Sequence, residues 1–371
     1  MSQFHPLAVA SVSPETRDTI VVTFDVPSGL RDAFRYIQGQ HLTLRGVIDG
    51  EELRRSYSIC SAVQDDLLRV AIKRTPGGAF SNWANDHLKR GALVDVMAPA
   101  GHFHVALDAE QRRHYLAFAA GSGITPILSL IKTTLLTEPH SRFTLVYGNR
   151  ASSSSVLFKE ELTDLKDRYM TRLNLVYVMS REQQDIALFN GRITGEKCTQ
   201  ILAHWVPVDD IDLAFICGPE DMMLGVSAAL QAAGMDRQSI KVELFAAGAP
   251  GRVRARREDS AGTGTPAAPA ARRETAVTVI MDGHHRTFTM AHGSAAGAES
   301  LLDAGLRQGL DMRYSCKGGV CSTCRCKLVD GKVDMDVNYA LEDYEIARGF
   351  ILSCQSFPVT DTVVIDFDQA E

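Results

Sequence analysis

Residues 314–324 have the sequence YSCKGGVCSTC, and this stretch determines how the last part of the chain is built. It sets Cys316, Cys321 and Cys324 in C-x4-C-x2-C spacing, with Cys354 thirty residues further on. Four thiolates in this spacing can hold a [2Fe–2S] cluster, two on each iron. The alternatives are a zinc site, which would favour two C-x2-C pairs, and unrelated buried thiols. We predict that these four cysteines are cluster ligands.

Around this loop, residues 276–371 form a predicted C-terminal domain. AVTVIMDGHHRTFTM suggests a β-hairpin that turns at Asp282-Gly283. The domain contains 14 acidic and 8 basic residues, so it carries the whole formal net charge of −6. This charge argues against general nucleic-acid binding. Cys326, two residues beyond a predicted ligand, is more typical of a packed thiol.

Residues 248–275 separate this domain from the rest of the chain. They are rich in Gly, Pro, Ala, Thr and Arg, with almost no bulky apolar side chains. Such a segment cannot build a core, so we predict a flexible linker.

Residues 108–247 alternate apolar strands with helices, which predicts a doubly wound parallel sheet. GSGITP (121–126) and CGPEDM (217–222) each follow a strand. Carboxyl ends of strands bind ligands in such sheets, and helix N-termini suit phosphates. We expect Thr125 to be the N-cap of the helix and Pro126 its first residue. Either motif alone could be a tight turn. Together they favour a nucleotide site at Gly121, Gly123, Ile124, Thr125, Pro126, Cys217, Gly218, Pro219 and Met222.

The choice of coenzyme depends on the residues that follow the strand LVYG. Asn149, Arg150, Ala151, Ser152 and Ser153 include no acid to bind a ribose 2′-hydroxyl. Arg150 and the serines favour the 2′-phosphate of NADPH, although NADH is possible. The alternative is that Arg150 lies on a solvated edge.

Residues 1–107 consist of short strands and turns, which predict a small β-barrel. Within it, RSYS (55–58) offers a cation, an aromatic ring and a hydroxyl, which suit the pyrophosphate, ring and N5 of a flavin. GGAFS (77–81) precedes a helix that we expect Ser81 to cap, and such a turn suits a phosphate. Taken singly, these segments could be an exposed polar strand and an ordinary helix cap.

In this order, RSYS, GGAFS, GSGITP and CGPEDM resemble the ferredoxin–NADP reductase superfamily, and the cysteine spacing resembles that of a plant-type ferredoxin. The resemblance implies a multidomain fold: an antiparallel β-barrel FAD domain, an α/β doubly wound nucleotide domain and a C-terminal β-grasp-like ferredoxin domain. It also implies an NAD(P)H:acceptor oxidoreductase with FAD, a [2Fe–2S] cluster and NADPH as cofactors.

The resemblance assigns roles residue by residue. It implies that Arg55 lies at the FAD pyrophosphate, Tyr57 against the flavin ring and Ser58 near N5. It places Thr125 and Cys217 beside the nicotinamide. The remaining implied cofactor-binding or flavin-covering residues are His41, Ser56, Ile72, Lys73, Gly78, Ser81, Glu243 and Phe245. His41 stands where many members of the superfamily have Tyr, so its role is open.

FHPLAVASV, GEELRRSYSIC and YSCKGGVCSTCRCK resemble the subfamily of reductase components of bacterial phenylacetyl-CoA epoxidases. This implies a di-iron oxygenase partner that epoxidises phenylacetyl-CoA in phenylacetate catabolism. A candidate docking face for it is Asp334, Asp336, Glu342, Asp343 and Glu345. The alternatives are a reductase for another multicomponent oxygenase or for a hybrid-cluster protein, and an electron-carrier or scaffold component with a vestigial nucleotide site. The sequence has no secretory signal or spanning segment, so we expect a cytoplasmic protein with no membrane partner.

Overall fold

The computed structural model describes residues 4–151, 155–244, 273–293 and 298–369. These residues divide into two compact units, one before residue 245 and one after residue 272. No helix among them is long and apolar enough to cross a membrane.

The first unit begins with a closed antiparallel sheet. Its strands are β1 (Phe4–Thr16), β2 (Thr19–Asp25), β3 (His41–Ile48), β4 (Glu51–Ser58), β5 (Leu68–Lys73) and β6 (Leu93–Met97). They are arranged in the order β4-β3-β6-β1-β2-β5. A bridge between Ile59 and Val70 joins the two outer strands, so the sheet closes on itself as the predicted barrel. Helix α1 (Ala79–His87) follows β5. The expectation that Ser81 caps α1 is wrong, because Gly78 is the N-cap and Ser81 lies in the first turn.

The same unit continues into a parallel sheet. Its strands are β7 (His114–Ala120), β8 (Arg142–Asn149), β9 (Leu173–Met179), β10 (Leu213–Gly218) and β11 (Ile240–Leu244), in the order β11-β10-β7-β8-β9. The helices between them are α2 (Ile124–Thr137), α3 (Lys159–Arg168), α4 (Gly195–His204) and α5 (Glu220–Ala232). The predicted doubly wound sheet is therefore confirmed. Because strand order reverses between β7 and β10, their carboxyl ends form the switch point where such sheets bind ligands.

Buried polar contacts join the barrel to the parallel sheet. The Ser129 hydroxyl of α2 donates to the Ser61 carbonyl at 2.7 Å, and the Thr133 hydroxyl of α2 accepts a hydrogen bond from the Val63 amide at 3.2 Å. These contacts fix the placement of the barrel against the carboxyl edge of the sheet.

The second unit is a mixed sheet packed against a helix. The main sheet contains β12 (Glu274–Met281), β13 (His284–Ala291), β14 (Arg325–Asp330), β16 (Phe350–Leu352) and β18 (Thr362–Asp366). A small second sheet pairs β15 (Val333–Met335) with β17 (Ser356–Pro358). Helices α6 (Leu301–Arg307) and α7 (Asp343–Ala347) complete the unit. Strands β12 and β18 are parallel, and α6 packs into the core, as in a β-grasp domain.

The start of this unit contains the predicted hairpin turn, with positive φ values of 52° at Asp282 and 71° at Gly283. β12 begins at Glu274, two residues before the predicted start of the domain at residue 276. Residues 248–272 of the predicted linker lie outside the described residues.

Candidate functional site

Two turns meet at the switch point of the parallel sheet. Residues 121–123 follow β7, and Cys217 and Gly218 end β10. A Cβ atom on Gly123 would lie 2.1 Å from the Cys217 carbonyl oxygen, so only glycine allows the turns to touch. Gly121 differs, because its φ is +55° and its Cβ position faces open space. Gly123 therefore holds the two turns together, while Gly121 leaves room for an approaching ligand.

Thr125 lies inside α2, so the expectation that it caps the helix is wrong. The turn at residues 121–123 is a 3-10 turn that continues directly into α2, with Gly123 as the N-cap. The Thr125 hydroxyl donates to the Ser122 carbonyl at 3.0 Å and is buried. Pro126 is the third helical residue rather than the first. Both residues still occupy the first turn of the helix at the switch point.

Three predicted residues from distant segments come together between the barrel and the parallel sheet. The Ser58 hydroxyl, at the end of β4, donates to the Glu243 carboxylate at 3.3 Å. Glu243 on β11 pairs in register with Cys217 on β10. Burial, together with the Glu243 carboxylate, raises the pKa of the Cys217 thiol, which stays protonated. We call this hydroxyl–carboxylate–thiol group the junction.

Ser58 and Cys217 of the junction are buried and Glu243 is half-buried, and the group extends into the barrel wall. Ser58 is 4% exposed and pairs with His41 across β3 and β4. Burial and the nearby His102 lower the pKa of His41 to about 4, so its ring is neutral at pH 7. Phe245, the other predicted residue of this closing segment, lies outside the described residues.

Arg55, Ser56 and Tyr57 precede the junction on β4. Arg55 and Tyr57 share one face of the strand because side chains alternate. The Tyr57 ring lies 5.9 Å from the Phe80 ring, and burial raises the pKa of its hydroxyl, which keeps it neutral. Arg54 is buried and paired with a glutamate of the same strand, whereas Arg55 is half-buried. The structure thus separates a structural arginine from one that is more accessible.

The turn before α1 is tight. A Cβ atom on Gly78 would lie 2.7 Å from the Ser81 hydroxyl, which accepts a hydrogen bond from the Thr75 amide at 3.1 Å. The Asn85 amide donates to the Ile72 carbonyl at 3.0 Å and to the Ser81 carbonyl at 2.8 Å. Asn85, which links α1 to the end of β5, was not predicted from the sequence.

Lys73, the other predicted residue of β5, lies at the end of that strand. Its ammonium group is 3.5 Å from the Asp18 carboxylate. Backbone contacts of Ile72 and Lys73 with a flavin remain predictions.

At the carboxyl ends of β8 and β9, the edge where we predict coenzyme binding and which we call the coenzyme edge, Arg181 lies beside the predicted Arg150. The Ser180 amide donates to the Asn149 carbonyl at 2.9 Å, and the Arg181 amide donates to the Arg150 carbonyl at 2.8 Å. β8 and β9 therefore each lead into a polar residue followed by an arginine at the same edge. Ser180 and Arg181 were not predicted from the sequence, although Ser-Arg directly after a parallel strand was the available signal.

Asn149 is a buried amide at this edge. It is 7% exposed, and its side chain lies beside the Tyr147 hydroxyl. Ser152 and Ser153, which also entered the coenzyme prediction, lie outside the described residues.

In the second unit, the four predicted ligands stand as two pairs. The Cys316 side chain contacts Cys321, and the Cys324 side chain contacts Cys354. Among the residues that the structure describes, no three His, Cys, Asp or Glu side chains are grouped to hold a metal ion. Two separate thiol pairs fit a two-iron cluster, with two ligands on each iron, better than a single zinc.

Backbone contacts hold these pairs in place. The Ser353 amide and hydroxyl each donate to the Cys324 carbonyl at 3.1 Å. The Gln355 side chain donates to the Lys317 carbonyl at 2.9 Å. The Gly318 amide donates to the Cys316 sulfur at 3.3 Å. Ser353 and Gln355 flank Cys354 and link it to the ligand loop, and neither was predicted from the sequence.

One member of the predicted docking face is wrongly placed there. Glu345 is 1% exposed and pairs with Arg325 at 2.9 Å, so it cannot meet a partner. Asp334, Asp336 and Asp343 are exposed, and Glu342 is half-buried. The candidate face therefore keeps four of its five acids.

Family models match all three parts of the chain. Residues 6–105 match an oxidoreductase FAD-binding domain, residues 118–228 an oxidoreductase NAD-binding domain, and residues 292–359 a 2Fe-2S iron-sulfur cluster binding domain. Together with the fold, these matches define an NAD(P)H oxidoreductase that carries FAD and a [2Fe–2S] cluster.

Curated relatives match over the full length. The chain is 47% identical over 368 residues to a component of the 1,2-phenylacetyl-CoA epoxidase of Escherichia coli K12, covering 99% of both chains. It is 37% identical to a 3-ketosteroid-9-alpha-monooxygenase ferredoxin reductase component of Rhodococcus rhodochrous, covering 97% of this chain and 96% of that relative. The chain belongs to the family of these reductases, within the ferredoxin–NADP reductase superfamily and with a C-terminal ferredoxin domain.

Solved structures agree on the fold. A phthalate dioxygenase reductase superposes with a TM-score of 0.54 at 20% identity, with 98% of each chain covered. A type IV self-sufficient cytochrome P450 monooxygenase gives a TM-score of 0.66 at 20% identity, covering 98% of this chain and 41% of that one.

Proposed function

We propose that this chain is the reductase component of a multicomponent oxygenase, with NADPH as electron donor and a di-iron oxygenase acting on phenylacetyl-CoA as acceptor. The observation that carries the proposal is the junction, where Ser58 of the barrel bonds Glu243 of the nucleotide-binding sheet, next to Cys217 at the switch point. When bound, FAD takes two electrons as a hydride and the [2Fe–2S] cluster takes one electron at a time. The protein groups bind, orient and shield these centres.

The proposed roles at the junction follow from its geometry. Ser58 donates its single hydroxyl proton to Glu243, which holds the hydroxyl in one orientation and leaves its oxygen as a fixed acceptor near the reacting atoms of a flavin. Cys217 contributes a small, neutral side chain at the end of β10, where a nicotinamide ring could lie. Tyr57 supplies an aromatic face, and Arg55 a cation for a pyrophosphate.

NADPH is proposed over NADH because of the paired arginines. Arg150 and Arg181 adjoin at the carboxyl edge of β8 and β9, where an adenosine ribose would lie if its phosphates met the start of α2. Two guanidinium groups suit a 2′-phosphate better than a hydroxyl.

The proposed partner rests on the relatives and on charge. The E. coli relative is named as part of 1,2-phenylacetyl-CoA epoxidase, and the C-terminal domain is strongly acidic. An acidic surface favours association with a basic one. The R. rhodochrous relative, which serves a ketosteroid monooxygenase, supports the alternative of another oxygenase.

Anaerobic stopped-flow spectroscopy tests the electron route. The purified protein is mixed with NADPH or NADH, and the flavin and cluster bands are followed separately. We expect fast flavin bleaching, then cluster bleaching, with NADPH the faster donor. Bleaching of neither centre by either coenzyme would contradict the reductase function, and a faster reaction with NADH would contradict only the coenzyme assignment.

Reconstitution tests the partner. The reduced protein is mixed with a di-iron phenylacetyl-CoA epoxidase or, as the matched control, a ketosteroid monooxygenase. Substrate-dependent NADPH oxidation with the first alone supports the proposal, and coupling with the second alone would contradict it.

A further inference from the structure

Directly after the cluster ligand Cys324, the chain buries an ion pair. Arg325 is 8% exposed and Glu345 is 1% exposed, and a guanidinium nitrogen lies 2.9 Å from a carboxylate oxygen. The guanidinium also lies over the Phe350 ring, 3.8 Å from its centroid. Charged side chains are seldom buried this completely, and an ion pair of this kind is weak evidence for stability alone.

The pair connects two elements that frame the cluster loop. Arg325 opens β14 and pairs with Leu352 of β16, two residues before Cys354. The second carboxylate oxygen of Glu345 accepts the Glu342 amide at 2.9 Å and so begins α7. The ion pair therefore lies between the two ligand segments and helix α7.

We propose that Arg325 and Glu345 are a charge-balanced positioning pair that sets the reduction potential of the [2Fe–2S] cluster. A buried charge beside a redox centre acts through a lower effective dielectric than a surface charge, so it shifts the potential more strongly. Glu345 compensates Arg325, so the cluster experiences a nearly neutral pair. This inference rests on the proposed function, in which the cluster delivers electrons to the partner.

The sign of the shift distinguishes this role from a purely structural one. In Glu345→Gln the amide oxygen can still accept the Glu342 amide, but Arg325 remains charged because a guanidinium does not deprotonate in proteins. The uncompensated cation favours the added electron, so the midpoint potential should rise. In Arg325→Gln the cation beside the cluster is gone, so nothing favours the added electron and the midpoint should not rise. A merely structural defect would move both variants in one direction.

The test is a redox titration of the full-length protein carrying FAD and cluster, read from the cluster's electron paramagnetic resonance signal. We expect a raised midpoint in Glu345→Gln, no rise in Arg325→Gln, and a return towards wild type in the double variant. Arg325→Lys keeps the cation and should stay near wild type. Asp343→Asn is the matched control, since it removes an exposed charge from the same helix.

Several outcomes would overturn the inference. They are equal-direction shifts in the two single variants, a Glu345→Gln shift no larger than that of Asp343→Asn, and an Arg325→Lys midpoint that departs from wild type as far as that of Glu345→Gln. If a single variant lost the cluster, the double variant and Arg325→Lys would still decide the question. Absence of a [2Fe–2S] signal from the wild type would instead refute the proposed electron route.

Discussion

The cluster loop and the junction are built in opposite ways. Three of the four predicted cluster ligands lie within nine residues, from Cys316 to Cys324, and short backbone contacts hold them. The junction draws Ser58, Cys217 and Glu243 from three separate strands, and only the packing of barrel against sheet brings them together. Local spacing can therefore specify the predicted metal site, whereas the proposed site for hydride transfer depends on the packing of the whole first unit.

The largest expected effect is the loss of the cluster in a variant whose flavin reduction is unchanged. Cys324→Ser should remove the cluster, because the second thiol pair is lost and serine is a poor ligand for iron in such sites. Iron content and the cluster absorbance should fall to background, while NADPH-driven flavin bleaching stays normal because no junction residue changes. Metal analysis and stopped-flow spectroscopy give these readouts.

Cys326→Ala is the matched control for this loss. Its thiol is fully buried two residues beyond Cys324 and is not among the paired ligands. Iron should be retained. Loss of the cluster in this variant as well would show that any change in the loop core, rather than ligand removal, disrupts the site.

The next effect concerns the junction. Ser58→Ala removes the hydroxyl dipole that Glu243 orients, and we expect flavin reduction by NADPH to slow by on the order of 100-fold, as for other preorganised polar groups aimed at reacting atoms. Glu243→Gln should slow it less, because the amide can still accept the Ser58 hydrogen bond. The double variant should be little worse than Ser58→Ala, since both changes remove one shared interaction.

The measurement is the single-turnover rate of flavin bleaching, with bound FAD quantified in each variant. Ser13→Ala, an exposed serine of the same barrel, is the control. Additive losses in the double variant would mean that Ser58 and Glu243 act independently, and the junction would not be one unit.

Features that depend on local sequence could be predicted, whereas features that depend on long-range packing could not. Strand and helix patterning was sufficient for the barrel, the doubly wound sheet and the C-terminal domain, because each depends on local periodicity. The expected helix caps at Ser81 and Thr125 were wrong because glycines in tight turns cap both helices two or three residues earlier. The resemblance to a family, and not spacing, put Glu243 among the expected site residues.

Long-range packing also explains what the sequence did not reveal. The predicted role of Gly123 in nucleotide binding stays a prediction, and the structure adds that its missing side chain makes room for the Cys217 carbonyl. Glu345 looked like part of an acidic face, yet its partner Arg325 lies twenty residues earlier and draws it inside. Arg181 was missed because its neighbour Arg150 belongs to the adjacent strand. None of these pairings can be derived from a short sequence window.

A smaller effect is expected at the coenzyme edge, which is assembled like the junction. Arg150→Ala or Arg181→Ala should raise the KM for NADPH roughly tenfold, the size expected for one hydrogen bond to a charged phosphate. The KM for NADH should stay constant, because NADH has no 2′-phosphate. Steady-state kinetics with both coenzymes measures the ratio of the KM for NADPH to the KM for NADH in each variant.

Arg168→Ala serves as the control for this change, because it removes an exposed arginine from the end of α3 in the same domain. If both coenzymes weakened equally in the Arg150 and Arg181 variants, the arginines would support the loop and not the choice of coenzyme.

The smallest effect tests whether the acidic surface beside the cluster acts in docking. Asp334→Lys with Asp336→Lys reverses two exposed charges, which should slow electron transfer to the oxygenase by several-fold to about tenfold at low salt, and less at high salt. NADPH-to-ferricyanide activity should not change, because the small acceptor needs no docking. The same reversal at exposed Asp361 is the control. If Asp361→Lys slowed transfer equally, net charge and not a local face would steer the partner. The site for the partner would then differ from both the cluster loop and the junction in having no fixed geometry.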